Sequence, residues 1–219
     1  MDATARTVTE HVTSDLELAP AGTFWTLGDV DLVDKISTAI TVTGARACTS
    51  CGAEVARDFA YELASAGHLV ATGGGVGIEA AAIRACLLAG KPTIVHLPAG
   101  LDNAWPAAHR QMFGAVVDAG GLVISTSPPG TVATRERFKQ RSTWLGAQTA
   151  ATLIVEAATR SRSLHVVEAA RLNGRAVAAV PGPITSTVSL ACHHLIAEGA
   201  DVVYDSSTLR VFADQALTV

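Results

Sequence analysis

From Ser37 onward, short apolar runs alternate with longer stretches whose apolar residues recur at a helical period. The runs Ala39-Ile40-Thr41-Val42, His68-Leu69-Val70-Ala71, Thr93-Ile94-Val95-His96-Leu97, Gly121-Leu122-Val123-Ile124-Ser125, Thr152-Leu153-Ile154-Val155, Ala176-Val177-Ala178-Ala179-Val180 and Asp201-Val202-Val203-Tyr204 read as strands. Between them the pattern predicts helices over about 52–65, from a glycine loop to about 88, and over about 107–118, 135–147, 163–172 and 188–198. In the first of these, Val55, Ala56, Phe59 and Leu63 share one face. Strands that are apolar throughout and alternate with helices predict a mostly parallel sheet covered on both faces, a doubly wound α/β domain of about seven strands. Residues 1–36 are polar and weakly periodic, punctuated by Ala19-Pro20-Ala21-Gly22, with an extended piece at Phe24-Trp25-Thr26-Leu27-Gly28-Asp29. They read as an arm, partly flexible, lying on a Rossmann-like domain over 37–219.

In such sheets ligands sit outside the carboxyl ends of the strands. The loops expected there are 44–51, 72–79, 98–106, 126–134, 156–163 and 181–187. Thr72-Gly73-Gly74-Gly75-Val76-Gly77-Ile78-Glu79 stands out among them. A strand, a glycine loop and a helix in that order can hold a phosphate, because the helix start presents unpaired N–H groups and glycine lets backbone approach closely. The same loop can also be a tight turn without a ligand. Arg46, after the first strand, is placed to hold a phosphate bidentately. The densest basic run is Arg135-Glu136-Arg137-Phe138-Lys139-Gln140-Arg141. Cations interleaved with an aromatic suit single-stranded nucleic acid; a solvated helix face with Phe138 turned to the core is the plainer alternative.

Composition narrows these readings. The 219 residues are 49% hydrophobic and 5% aromatic, with a net charge of −4. Nucleic-acid binding must therefore come from a local patch and not from bulk charge. Cys48-Thr49-Ser50-Cys51 lacks a second pair, since Cys86 and Cys192 stand alone, so no metal site is expected. The first residues lack an apolar core and no run reaches membrane-spanning length, which leads to the expectation of a cytoplasmic protein with reduced thiols. No nucleophile–His–acid order is persuasive. His96 and His109 lie near the expected mouth, and Glu79 and Glu156 could polarise a ribose or a water.

Taken together, the motifs resemble those of the DNA-processing protein A (DprA/Smf) family of bacterial transformation. The family's Gly-Ser-Arg appears as Gly44-Ala45-Arg46, and its Ser-Gly-x-x-x-Gly-Ile-Asp as 72–79. Its Gly-Leu-Asp-x-x-Tyr-Pro appears as Gly100-Leu101-Asp102-Asn103-Ala104-Trp105-Pro106, and its Pro-Pro-Gly as Pro128-Pro129-Gly130. Its Phe-x-x-Arg-Asn-Arg appears as Phe138-Lys139-Gln140-Arg141-Ser142-Thr143. Val155-Glu156-Ala157, Ser161-Arg162-Ser163-Leu164, Val180-Pro181-Gly182 and Gly199-Ala200 complete the series over about residues 20–204.

The resemblance implies a homodimer that binds single-stranded DNA in a basic pocket at the strand ends and passes it to a RecA-type recombinase. By motif and charge, the DNA- or phosphate-binding positions are Gly44, Arg46, Gly73, Gly74, Gly75, Gly77, Arg137, Lys139, Arg141, Ser161 and Ser163. No catalytic residue, metal or cofactor is expected, and no membrane partner. The sequence departs from the family pattern at Val76, where a basic residue is common, at Glu79 for Asp, at Ile83 for His, at Ser142-Thr143 for Asn-Arg and at Thr126 for an acid. Arg135, Arg137 and Arg162 are candidates to compensate. The chain resembles the family's core only, without its terminal accessory domains. Two alternatives stay open: a non-catalytic sensor of a nucleotide-derived molecule, and a nucleoside-monophosphate phosphoribohydrolase of the LOG type, whose second motif Pro129-Gly130-Thr131-Val132-Ala133-Thr134-Arg135-Glu136 matches only in part.

Overall fold

The computed structural model describes residues 7–13 and 22–218; the punctuation at 19–21 lies outside them. In chain order the elements are β1 (Thr9–Val12), β2 (Thr23–Gly28), a 3-10 helix (Val30–Thr38), β3 (Ile40–Thr43), α1 (Ser50–Ser65), β4 (Val70–Thr72), α2 (Ile78–Leu88), β5 (Thr93–His96), α3 (Arg110–Asp118) and β6 (Leu122–Ser125). Then follow α4 (Arg135–Gln148), β7 (Ala151–Ile154), α5 (Leu164–Leu172), β8 (Ala176–Ala179), α6 (Leu190–Ala197), β9 (Asp201–Val202) and α7 (Ser206–Ala216).

The strands form one sheet in the order β1-β2-β6-β5-β4-β3-β7-β8-β9. β1 with β2 and β2 with β6 pair antiparallel, and every other pair is parallel. Every residue of β3 to β7 is buried. That is why these segments read as unbroken apolar runs. Ile40, Val42, Val70 and Leu153 face α1, α2 and α7. Their neighbours Ala71 and Ile94, with Ile124, face the 3-10 helix, Trp144 of α4 and Val166 of α5. Each fully buried Ile or Leu contributes roughly 1.5–3 kcal/mol, so both helical layers are held firmly.

The sheet has nine strands where the pattern predicts about seven. The two additional strands, β1 and β2, come from the arm and extend the sheet beyond β6. His11 stacks on Phe24 with ring centroids 4.8 Å apart, and Trp25 Nε1 donates to Glu10 across the pair. The pattern also misses α7. Asp205 caps it through a reciprocal box with Thr208, and Leu209, Phe212 and Ala213 are buried against the core.

β3 has β4 on one side and β7 on the other, so strand order reverses between β3 and β7. The loops that leave these two strands diverge to opposite faces and open a crevice at that point.

Candidate functional site

The loop after β3 is held on both sides. Ala45 N–H donates to the Glu156 carbonyl at 2.6 Å, and the Ala45 carbonyl accepts from Ile78 N–H at 3.2 Å. A Cβ at Gly44 would meet both the Glu156 backbone and the Ile78 side chain at 2.8 Å, so only glycine fits there. This clamp delivers Arg46 to the rim of the crevice. Its guanidinium lies 4.6 Å from the centroid of Phe138 and 5.0 Å from that of Trp105. The two rings meet edge to face at 4.7 Å. Phe138 is therefore half-buried beside Arg46, lining a cavity, and not turned into the core.

Two loops that carry separate motifs are tied together. The Asp102 carboxylate accepts from Gly130 N–H at 2.8 and 2.9 Å, and Gly100 N–H donates to the Thr131 carbonyl at 2.9 Å. The Gly-Leu-Asp and Pro-Pro-Gly segments are thus one structural unit, and Trp105 is carried on it.

The glycine loop after β4 is closed by its own side chains. Gly75 N–H donates to Glu79 Oε2 at 2.7 Å, Thr43 Oγ1 donates to Oε1 at 3.0 Å, and Arg141 Nη1 lies 3.0 Å from both oxygens. A Cβ at Gly73 would coincide with the Arg141 guanidinium, and one at Gly77 (φ +76°) would strike the Ala45 and Arg46 carbonyls. The Gly74 carbonyl accepts from His109 Nδ1 at 3.0 Å. Val76 is left exposed at the tip.

Glu79 and Arg141 are both deeply buried. Burial alone pushes the Glu79 carboxyl up, but the Arg141 charge and the hydrogen bonds from Arg141, Gly75 and Thr43 outweigh it and hold it below the ordinary carboxylate range. Arg141 Nε is buried with no partner among the described residues. Behind it, His96 is fully buried against Trp144, with ring centroids 4.3 Å apart and neither ring nitrogen within good hydrogen-bond geometry of a partner among the described residues. Burial first, and then the Arg141 charge, pushes His96 down to about 3, so at neutral pH it is an uncharged ring.

Two adjoining cavities occupy the crevice. The smaller, of about 240 Å³, lies at the reversal of strand order and is lined by Gly44, Arg46, Glu79, Arg141, Ser161, Arg162 and Ser163. The larger, of about 490 Å³, shares Arg46, Arg141 and Arg162 and adds Arg135, Glu136, Phe138, Lys139, Ser142 and His165. Partial burial and the like charges of Arg141 and Arg162 hold the Arg46 guanidinium below its ordinary value, against the opposing pull of Glu79. Cations crowded to this degree are relieved by a bound anion.

Of the eleven expected positions, Gly44, Arg46, Lys139, Arg141, Ser161 and Ser163 line these two cavities. The four loop glycines and Arg137 line neither, and Arg137 Nη1 is bonded to the Val132 carbonyl at 3.0 Å. Arg162, named only as a compensating charge, lines both cavities, and Trp105 and His165 carried no site assignment. Glu156 accepts from Thr49 N–H and Oγ1 at the start of α1. Cys48 lies near it, and burial, reinforced by Glu156, pushes the Cys48 thiol up, opposite to an activated thiolate. Among the described residues no group of three or more His, Cys, Asp or Glu is placed to hold a metal, and no helix is long and apolar enough to cross a membrane.

A family model described as DNA recombination-mediator protein A matches residues 11–213. A putative DNA processing protein DprA of Mycobacterium tuberculosis is 38% identical over 179 residues, covering 82% of this chain and 46% of that protein. The DprA of Streptococcus pneumoniae is 33% identical over 190 residues, or 87% of this chain and 66% of its own length. This chain thus spans roughly half to two-thirds of these curated relatives. The solved S. pneumoniae structure superposes with a TM-score of 0.83 at 29% identity, over 93% of this chain and 73% of that one. DprA from Helicobacter pylori, described for its single-stranded DNA binding mode, shares the fold with a TM-score of 0.81 at 19% identity, over 98% and 96%. With the motifs in order and the sheet reversed at the same crevice that they line, the chain belongs to the DNA recombination-mediator protein A (DprA/Smf) family.

Proposed function

We propose that the chain binds single-stranded DNA in this crevice, as a non-catalytic DNA-processing protein. The observation that carries the reading is the convergence of Arg46, Arg141 and Arg162 on one crevice lined by Phe138, which Trp105 backs edge to face. Guanidinium groups meet phosphates, and a base stacks on an exposed ring face. Lys139 and Arg135 extend this lining along α4, with Glu136 between them. The described single-strand binding of the H. pylori relative is in keeping with this use of the fold.

The glycines act through geometry in this reading. Gly73 makes room for Arg141, Gly77 lets α2 start against the Arg46 loop, and Gly75 orients Glu79. Glu79 is committed to three donors and buried, which leaves it no role as a general base. Homodimerisation and delivery of the strand to a RecA-type recombinase rest on family membership; light scattering and pull-down with the recombinase test them.

Mobility shifts decide the main claim. A labelled single strand should shift at low salt and resist competition by duplex of equal length. Absence of a shift, or a shift that Arg46→Ala leaves unchanged, rejects it.

A further inference from the structure

We propose that the smaller cavity is a receptor for a phosphomonoester dianion, so that the crevice prefers a DNA strand ending in phosphate over the diester phosphates within a strand. The inference rests on the single-strand reading above and specifies which part of the strand enters deepest.

Charge is the first argument. Three guanidinium groups face this cavity against one carboxylate, Glu79, which leaves two positive charges unmatched. A phosphomonoester carries about −1.5 to −2 at neutral pH, whereas an internal diester carries a single charge. The second argument is the donor set. Arg141 is almost wholly buried and lines the cavity, and its Nε–H, itself shielded from solvent, has no partner among the described residues. The Ser161 and Ser163 hydroxyls lie 2.7 Å apart, so one donates to the other and the second hydroxyl hydrogen is free for a ligand. An isolated phosphate monoester offers three acceptor oxygens to such a set.

Shape is the third argument. Gly44 and Glu79 are both buried and line the smaller cavity beside the three guanidinium groups. The larger cavity shares Arg46, Arg141 and Arg162 and leads outward along α4. A strand lying over Phe138 reaches this cation cluster through the three guanidinium groups that the two cavities share. Arg46 is depressed by burial first and then by the like charges of Arg141 and Arg162, and a dianion relieves the crowding of those charges.

The same chemistry is offered by a free nucleoside monophosphate, and the test separates the two sources. Fluorescence anisotropy is measured on the full chain with one internally labelled oligonucleotide in three forms: 5′-phosphorylated, 3′-phosphorylated, and hydroxyl at both ends. One phosphorylated form should bind roughly tenfold tighter than the hydroxyl form. Arg162→Ala, an exposed loop residue, should abolish that ratio. Lys139→Ala, which lines only the larger cavity, should weaken all three forms alike and keep the ratio. Equal affinity for the three forms overturns the proposal and leaves the single-strand reading standing. Binding of no oligonucleotide, with stabilisation by thymidine monophosphate but not by thymidine, keeps the phosphomonoester site and overturns the strand reading. Binding of neither overturns both.

Discussion

Two parts of this molecule look like anion sites, and only one is open. The glycine loop at 73–77 has the backbone of a phosphate cradle, but its Gly75 N–H already holds the protein's own Glu79 carboxylate. In the crevice beside it, Arg46 and Arg162 face cavity, and among the described residues neither has a carboxylate ion-pair partner, although Glu79 and Glu136 are part of the lining. The two are linked through Arg141, which spans from the closed site to the open one. A glycine-rich strand-to-helix turn therefore marks where the crevice is built without itself being the part that faces a ligand.

The largest expected effect tests the closed site. Arg141→Ala strands a buried carboxylate, and the loss should be about 3–5 kcal/mol of stability, read by urea denaturation. Replacing both partners with apolar residues (Glu79→Leu with Arg141→Met) should cost much less, since breaking a buried pair costs more than removing it. A double variant as unstable as the single one would break the contrast between a self-satisfied loop and an open crevice.

Acid should expose the same region next. The unfolded chain takes up a proton at His96 as pH falls through about 6.5, while the folded chain resists until about 3. Stability that is complete above 6.5 is then lost progressively toward 3, by about 2 kcal/mol between pH 7 and pH 5. Glu79, whose folded pKa is depressed, adds a further loss in the same direction only below about pH 4.3. His96→Leu should flatten the section between pH 7 and pH 5; an unchanged slope would place the acid sensitivity elsewhere.

The open site should respond in binding and not in folding. Arg46→Ala should leave stability within about 0.5 kcal/mol and weaken single-strand binding roughly tenfold. Anisotropy and thermal melting on the same preparation check both halves. The smallest effect belongs to the exposed tip of the glycine loop. Val76→Lys restores the basic residue common in the family's loop and should strengthen binding about two- to fivefold, with stability again within about 0.5 kcal/mol.

Much of the fold was legible because β3 to β7 are buried on both faces, and such strands announce themselves as apolar runs. β1 was not legible: it is four residues long and mostly exposed, so it has no apolar run to show. α7 could have been read from Asp205-x-x-Thr208 followed by Leu209, Phe212 and Ala213. In the site, the position of the glycine loop and of Arg46 was legible, but the loop's occupant was not. Glu79 and Arg141 lie 62 residues apart, and nothing local in either segment shows that one fills the other's site. Likewise, Asp102 and Gly130 looked like two motifs until their hydrogen bonds made them one. Arg162 lay among Ser161 and Ser163 in the sequence, yet only the reversal of strand order beside β7 turns it toward Arg46.

The central claim is that open guanidinium groups at the crevice, and not the glycine backbone, hold the strand. The salt dependence of single-strand affinity tests it most directly, measured for the native chain and for an Arg46→Ala, Arg162→Ala double variant. Each phosphate contact on a single strand adds about −0.7 to the slope of log affinity against log salt concentration. The native chain should show a steep negative slope, and the double variant should lose about 1.4 of it. An identical slope in both would contradict the account and return phosphate binding to the loop.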